Sequence, residues 1–188
     1  DQAMYAAKRG GRNRYCYFHQ SLQEAAHQRA VLTNGLRHAL AGKQFSLLYQ
    51  PIFELAGGRL HKAEALLRWH PPQRGAVSPA EFIPLAESSG LILEIGDWVF
   101  NQAVADACRL RTAAETGGGD GGGGVDISVN VSPVQFFNDA DLTPRWLEHL
   151  AANRLPAHAI TLEITEGLLL DLTGEVRAKL HAFSSAGV

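Results

Sequence analysis

The chain has 188 residues, of which 46% are hydrophobic and 19% charged, with a formal net charge of −2 when its eight histidines are counted as neutral. That balance excludes a disordered chain, and the near-neutral charge excludes the basic footprint of a protein that wraps duplex nucleic acid. No apolar run approaches the roughly 18 residues that cross a bilayer, and the first residues lack the order of a secretory signal, so a soluble cytoplasmic chain is expected, any membrane anchor of its parent lying outside it.

Gln2 to Arg9 carries apolar side chains at helical spacing (Ala3, Met4 and Ala7), and Gly10-Gly11 supplies a stop. Tyr15, Cys16, Tyr17 and Phe18 then have strand character. One helix and one strand cannot bury a core, so residues 1–19 read as the tail of a preceding domain. Residues 20–42 favour a connecting helix with Leu22, Ala25, Ala26, Ala30, Leu36 and Leu40 as its apolar stripe. Phe45 to Leu55 and Leu60 to Trp69 read as strands of a hairpin turned at Ala56-Gly57-Gly58. Side chains alternate along a strand, which places Glu64, Leu66 and Arg68 on one face and Ala65, Leu67 and Trp69 on the other.

Ser78-Pro79-Ala80-Glu81 combines an N-cap, a first-turn proline and a capping-box glutamate, and starts a helix that reaches about Ser88. A longer helix spans about Ile92 to Ala114, and Glu115 to Gly124, with seven glycines, is a flexible connector. Strand Val125–Val131, helix Asp141–Asn153, strand Ile160–Ile164 and helix Thr173–Ser185 follow. This alternation predicts parallel strands joined by crossover helices, with a (β/α) barrel as the closed form and its chemistry at the C-terminal strand ends. The start at Asp1-Gln2-Ala3 and the stop at Ser185-Ala186-Gly187-Val188 read as cuts in a longer chain. Cys16 and Cys108 lack metal-ligand spacing and read as unpaired thiols.

Three apolar runs each carry an oxygen ligand: Ala63-Glu64-Ala65-Leu66-Leu67-Arg68-Trp69, Asp126-Ile127-Ser128-Val129-Asn130-Val131-Ser132 and Ile160-Thr161-Leu162-Glu163-Ile164-Thr165-Glu166. Each polar residue has an ordinary explanation when taken alone. Glu64 could pair with Arg68, Asn130 could bond its own backbone before Ser132-Pro133, and Glu163 and Glu166 could be edge-strand and first-turn carboxylates. Together, Glu64, Asn130 and Glu163 at matching depth on successive parallel strands predict one shared cation. Hard oxygen donors without cysteine favour Mg²⁺ or Mn²⁺. Arg68 beside that cation suits a phosphate oxygen, which implies phosphoryl chemistry. His61 and His70 read as polar surface residues, Trp98 and Trp146 as helix-core residues, and Trp69 as packed beneath a helix.

Glu64-Ala65-Leu66 within its run resembles the signature of the EAL domain, a family that hydrolyses the bacterial messenger cyclic di-GMP. Tyr49-Gln50-Pro51, Ser78-Pro79-Ala80-Glu81-Phe82-Ile83-Pro84-Leu85-Ala86-Glu87, Ser128-Val129-Asn130-Val131-Ser132 and Leu162-Glu163-Ile164-Thr165-Glu166 resemble the family pattern in order and spacing. Residues 1–18, especially Ala7-Lys8-Arg9-Gly10-Gly11-Arg12-Asn13-Arg14, look like the last helix and strand of a GGDEF (diguanylate cyclase) domain. The resemblance implies an α/β chain holding the N-terminal half of a TIM-like (β/α)8 barrel of EAL type over residues 43–188, after a connecting helix (20–42) and a GGDEF remnant (1–19).

The same resemblance implies Glu64, Asn130 and Glu163 as ligands of Mg²⁺ or Mn²⁺, Gln50 and Arg68 as substrate contacts, and Glu166 as a brace for a loop over the metals. It also implies hydrolysis of cyclic di-GMP to linear pGpG, an upstream GGDEF partner domain and homodimers through the EAL domain. The alternative is a module that binds cyclic di-GMP without cutting it. The family's next block, Asp-Asp-Phe-Gly, and its later lysine and catalytic glutamate would fall after Val188. The isolated chain is therefore expected to be catalytically inactive and to expose an unpaired sheet edge.

Overall fold

The computed structural model describes residues 20–72, 74–116, 124–165 and 173–188. The expectations for residues 1–19, for most of the glycine-rich connector and for Glu166 lie outside the described residues.

Helix α1 (Gln20–Ala39) leads into β1 (Phe45–Phe53) and β2 (Leu60–Trp69), which pair antiparallel as the hairpin reading requires. β1 ends at Phe53 rather than Leu55, because the pairing slips between Ile52 and Phe53 and the Glu54 N–H then turns to the Arg59 carbonyl (2.9 Å). Helices α2 (Pro79–Ser89) and α3 (Ile92–Thr116) carry the chain to β3 (Asp126–Asn130). Then come α4 (Pro133–Asn138), α5 (Leu142–Ala152), a 3-10 turn (Ala157–Ala159), β4 (Ile160–Glu163) and α6 (Gly174–Ala186).

The sheet runs β1-β2-β3-β4, with β2, β3 and β4 parallel, so the predicted crossover connections are present. β1 and β4 are its two edges; the sheet of the described residues is open and does not close into a barrel. No helix of the described residues is long and apolar enough to cross a membrane. Sequence reading missed α4 and the 3-10 turn, since six and three residues are too few to display a helical period. The available sign was the Ser132-Pro133 start with Gln135 three residues after the serine: the Ser132 Oγ accepts from the Val134 N–H (3.2 Å), and the Ser132 N–H donates to Gln135 Oε1 (3.1 Å).

One face of the sheet buries Ala63, Ala65, Trp69, Ile127, Val129 and Ile160 beneath the helices, together with Phe82, Ile95, Phe100 and Trp146. Trp69 is 1% exposed, edge-on to Phe82 at 5.6 Å, and its indole N–H donates to Gln44 Oε1 (3.1 Å). α1 packs on it through Gly35, where an added Cβ would lie 3.2 Å from the Trp69 ring. Trp146 stacks on Phe100, with centroids 4.1 Å apart, and donates to Asp97 Oδ1 (2.7 Å). Both tryptophans are the core residues the sequence predicts, and truncating either to alanine is a change of about 3–5 kcal/mol. His61 and His70 are exposed, as expected.

Polar links tie the helical layer together. Lys179, 6% exposed, donates to the carbonyls of Phe136 (2.6 Å) and Asp139 (2.9 Å), which the end of α4 would otherwise leave without partners. Arg145 bridges Asp97 (2.8 Å) and Asp139 (2.5 Å), and its hydrogen bond holds the Asp139 carboxyl below the usual carboxylate range. A lowered folded pKa means that Asp139 contributes stability fully above its unfolded pKa, and that this stability is lost as pH falls through the lower folded value. Asp139→Asn is expected to lower the urea midpoint at pH 6 and to narrow the gap from wild type in acid. Urea titrations at pH 6 and in the acid range below 4 check it; a gap independent of pH would contradict it.

Candidate active site at the strand ends

The opposite face of the sheet carries the candidate residues. Paired positions on neighbouring strands share a face, as do positions two apart on one strand. Gln50 pairs with Glu64, Ser46 with Arg68, Glu64 with Ser128, and Asn130 with Glu163. Gln50, Glu64, Arg68, Asn130 and Glu163 therefore all project from this one face.

Their depth differs from the expectation. Asn130 and Glu163 are level, but Glu64 is level with Ser128, one pleat short of them. Two residues of strand amount to roughly 6.6 Å. The longer glutamate side chain spans the offset: Glu64 Oε1 accepts a hydrogen bond from Asn130 Nδ2 at 2.7 Å. Glu64 and Glu163 are half-buried, while Asn130 is exposed. With its nitrogen turned to Glu64, the Asn130 amide keeps its oxygen for another partner.

These side chains offer two carboxylates and one carboxamide oxygen on adjoining strands, a donor set that fits a hard divalent cation. No group of three or more His, Cys, Asp or Glu side chains able to hold a metal occurs among the described residues. Two carboxylates and one carboxamide would leave several coordination positions of such an ion to water or substrate, as Mg²⁺ keeps them.

Arg68 does not pair with Glu64. Its Nη1 donates to the adjacent Leu67 carbonyl (2.9 Å), and among the described residues no carboxylate lies within ion-pair distance of it. Such a guanidinium can turn to an incoming anion without breaking a salt bridge. Gln50 is exposed on the edge strand. Its neighbour Tyr49 projects from the other face and donates to Asp106 Oδ2 of α3 (2.5 Å). Burial pushes the Tyr49 phenol up to about 12, so it remains a neutral donor throughout the physiological range.

A cavity of about 310 Å³ opens at the C-terminal ends of β2, β3 and β4, and Arg68, Asn130 and Glu163 are among its lining residues. Ile83, Ile95, Val99 and Val131 give it apolar walls, and Glu87 and Ser132 form a polar corner where Ser132 Oγ donates to Glu87 Oε1 (2.7 Å). Sequence reading passed over Tyr49, Glu87, Ser132 and Gln135 as site-supporting residues, although all but Gln135 lie in the blocks that carry the family resemblance.

The EAL domain family matches residues 33–188. MucR of Pseudomonas aeruginosa, a bifunctional diguanylate cyclase/cyclic di-GMP phosphodiesterase, is 38% identical over 189 aligned residues, covering 100% of this chain and 26% of that protein. Among solved structures, the PaMucR phosphodiesterase in its c-di-GMP complex has a TM-score of 0.71 at 35% identity, covering 84% of this chain and 61% of that one. The EAL enzyme Bd1971 in its cGMP-bound form has a TM-score of 0.78 at 31% identity, covering 88% and 44%. The chain spans about a quarter of the length of the curated relatives it matches.

Proposed function

The chain belongs to the EAL domain family, and from that premise we propose that its open sheet face contributes to the site of a cyclic di-GMP phosphodiesterase. Glu64, Asn130 and Glu163 would hold Mg²⁺ or Mn²⁺ through oxygen. Lewis acidity toward a phosphoryl oxygen and a water is the chemistry such an ion would supply when bound. Arg68 exchanges the Leu67 carbonyl for a phosphate oxygen, and its fork fixes the diester against the strand ends. Gln50, across from Glu64, contacts the ligand from the edge strand. The apolar cavity beside them excludes water and accepts a planar base. Water forms a new bond to phosphorus as one P–O3′ bond breaks, and the product is linear pGpG. By family resemblance, copies pair through the EAL domain in the cytoplasm.

The observation that carries this reading is the 2.7 Å bond between Asn130 and Glu64, which joins β2 and β3 beside Glu163. A second reading, binding of cyclic di-GMP without cleavage, is supported by Arg68, which makes no ion pair among the described residues and can hold a phosphate without any hydrolytic group. Calorimetry with Mn²⁺ and cyclic di-GMP, together with chromatography of the products, tests both. The chain by itself is expected to bind the dinucleotide only with metal and to leave it intact, and a full-length protein containing it to release pGpG. Tight binding unaffected by chelator would contradict the metal's role, and pGpG from the chain by itself would contradict its inactivity.

A further inference from the structure

We infer that Glu87 is a positioning residue for Asn130, acting through Ser132; the inference rests on the site reading just given. Asn130 is the last residue of β3, and only Val131 separates it from Ser132, the N-cap of α4. The Asn130 side chain therefore stands where this turn puts it.

Three bonds fix the turn. The Val131 N–H donates to the Glu163 carbonyl (2.9 Å), tying the exit of β3 to β4. The Ser132 N–H donates to Gln135 Oε1 (3.1 Å), tying it to α4. The Ser132 hydroxyl donates to Glu87 Oε1 (2.7 Å), and this bond brings in α2, a separate element 45 residues earlier. Glu87 is half-buried in the cavity wall, so its acceptor is partly shielded from competing water. α3 backs the other side of the turn. Gln135, 2% exposed, lies so close over Gly96 that an added Cβ would fall 2.0 Å from its Nε2. The turn is held between α2 and α3, and Glu87 is its one charged anchor from α2.

Removing that anchor leaves the capping box and α4 in place but frees the turn to shift against α2. Groups that orient a metal ligand typically change metal affinity or activity about 10–100-fold when removed, and a displacement of about 1 Å has a similar effect on rate. The hydrogen bond needs an acceptor at Glu87 and does not need its charge.

The test compares Glu87→Ala, Glu87→Gln, Ser132→Ala and Asn130→Ala in the full chain. Mn²⁺ affinity is read by electron paramagnetic resonance and the unfolding midpoint by circular dichroism. In a full-length protein containing the chain, kcat and KM are also measured. Glu87→Ala and Ser132→Ala are expected to weaken Mn²⁺ binding about tenfold and to lower kcat more than they raise KM, while Glu87→Gln restores wild-type values. Wild-type Mn²⁺ affinity in Glu87→Ala, or a loss in Glu87→Gln as large as in Glu87→Ala, overturns the inference. Asn130→Ala separates the two levels: if it too leaves Mn²⁺ binding unchanged, the metal-site reading fails along with the inference. Should Glu87→Ala not fold, Glu87→Leu, which keeps most of the side chain's volume and removes the acceptor while leaving the Ser132 cap intact, carries the same comparison with Glu87→Gln.

Discussion

Glu64→Gln is expected to reduce both Mn²⁺ binding and the turnover of cyclic di-GMP about a hundredfold or more, equivalent to roughly 3 kcal/mol, while leaving the unfolding midpoint within a few degrees of wild type. The substitution preserves the shape of the side chain, and a glutamine oxygen still accepts the Asn130 amide hydrogen that Glu64 Oε1 accepts now at 2.7 Å. Glu64 is half-buried and makes no ion pair among the described residues, so the fold loses little. What disappears is one of two negative charges in a site with a single neutral third donor. Metal titration and steady-state kinetics on a full-length protein containing the chain check it. Unchanged turnover at subsaturating Mn²⁺ would remove Glu64 from the metal site.

Arg68→Ala is expected to raise KM for cyclic di-GMP about 10–100-fold and to lower kcat less. Hydrogen bonds to a charged group contribute roughly 1.5–3 kcal/mol each, and the guanidinium fork can supply two to one phosphate. Its present bond, to the neighbouring Leu67 carbonyl, ties no two elements together, so the fold does not depend on it. Arg68→Lys is expected to recover part of the loss, because an ammonium keeps the charge and loses the parallel fork. An unchanged KM in Arg68→Ala, read from initial rates, would take Arg68 out of substrate binding.

The residues that alternation controls were legible before any coordinates. Glu64 and Arg68 share a face because they are four apart on a strand, and Trp69 is buried because odd positions of β2 face the helices. Glu64, Asn130 and Glu163 could be grouped because each ends or nearly ends an apolar run in a strand–helix alternation. Their relative depth could not be read, because it depends on how β2 and β3 pair, and the Glu64-to-Ser128 register is not encoded in either segment alone.

Long-range polar contacts were hidden for the same reason. Tyr49 and Asp106 are 57 residues apart, and Ser132 and Glu87 are 45 apart; nothing local marks either pair. Arg68 shows a different gap. Sequence spacing places it near Glu64, but a long side chain has many rotamers, and here it turns back to its own backbone rather than to the carboxylate.

The proposed phosphodiesterase site requires Glu64, Asn130 and Glu163 to share one divalent ion. Anomalous scattering from crystals of the chain grown with Mn²⁺ and cyclic di-GMP locates that ion directly. The predicted result is a Mn²⁺ peak bonded to a carboxylate oxygen of Glu64, the amide oxygen of Asn130 and a carboxylate oxygen of Glu163. Bound cyclic di-GMP with no Mn²⁺ at those three side chains would contradict it.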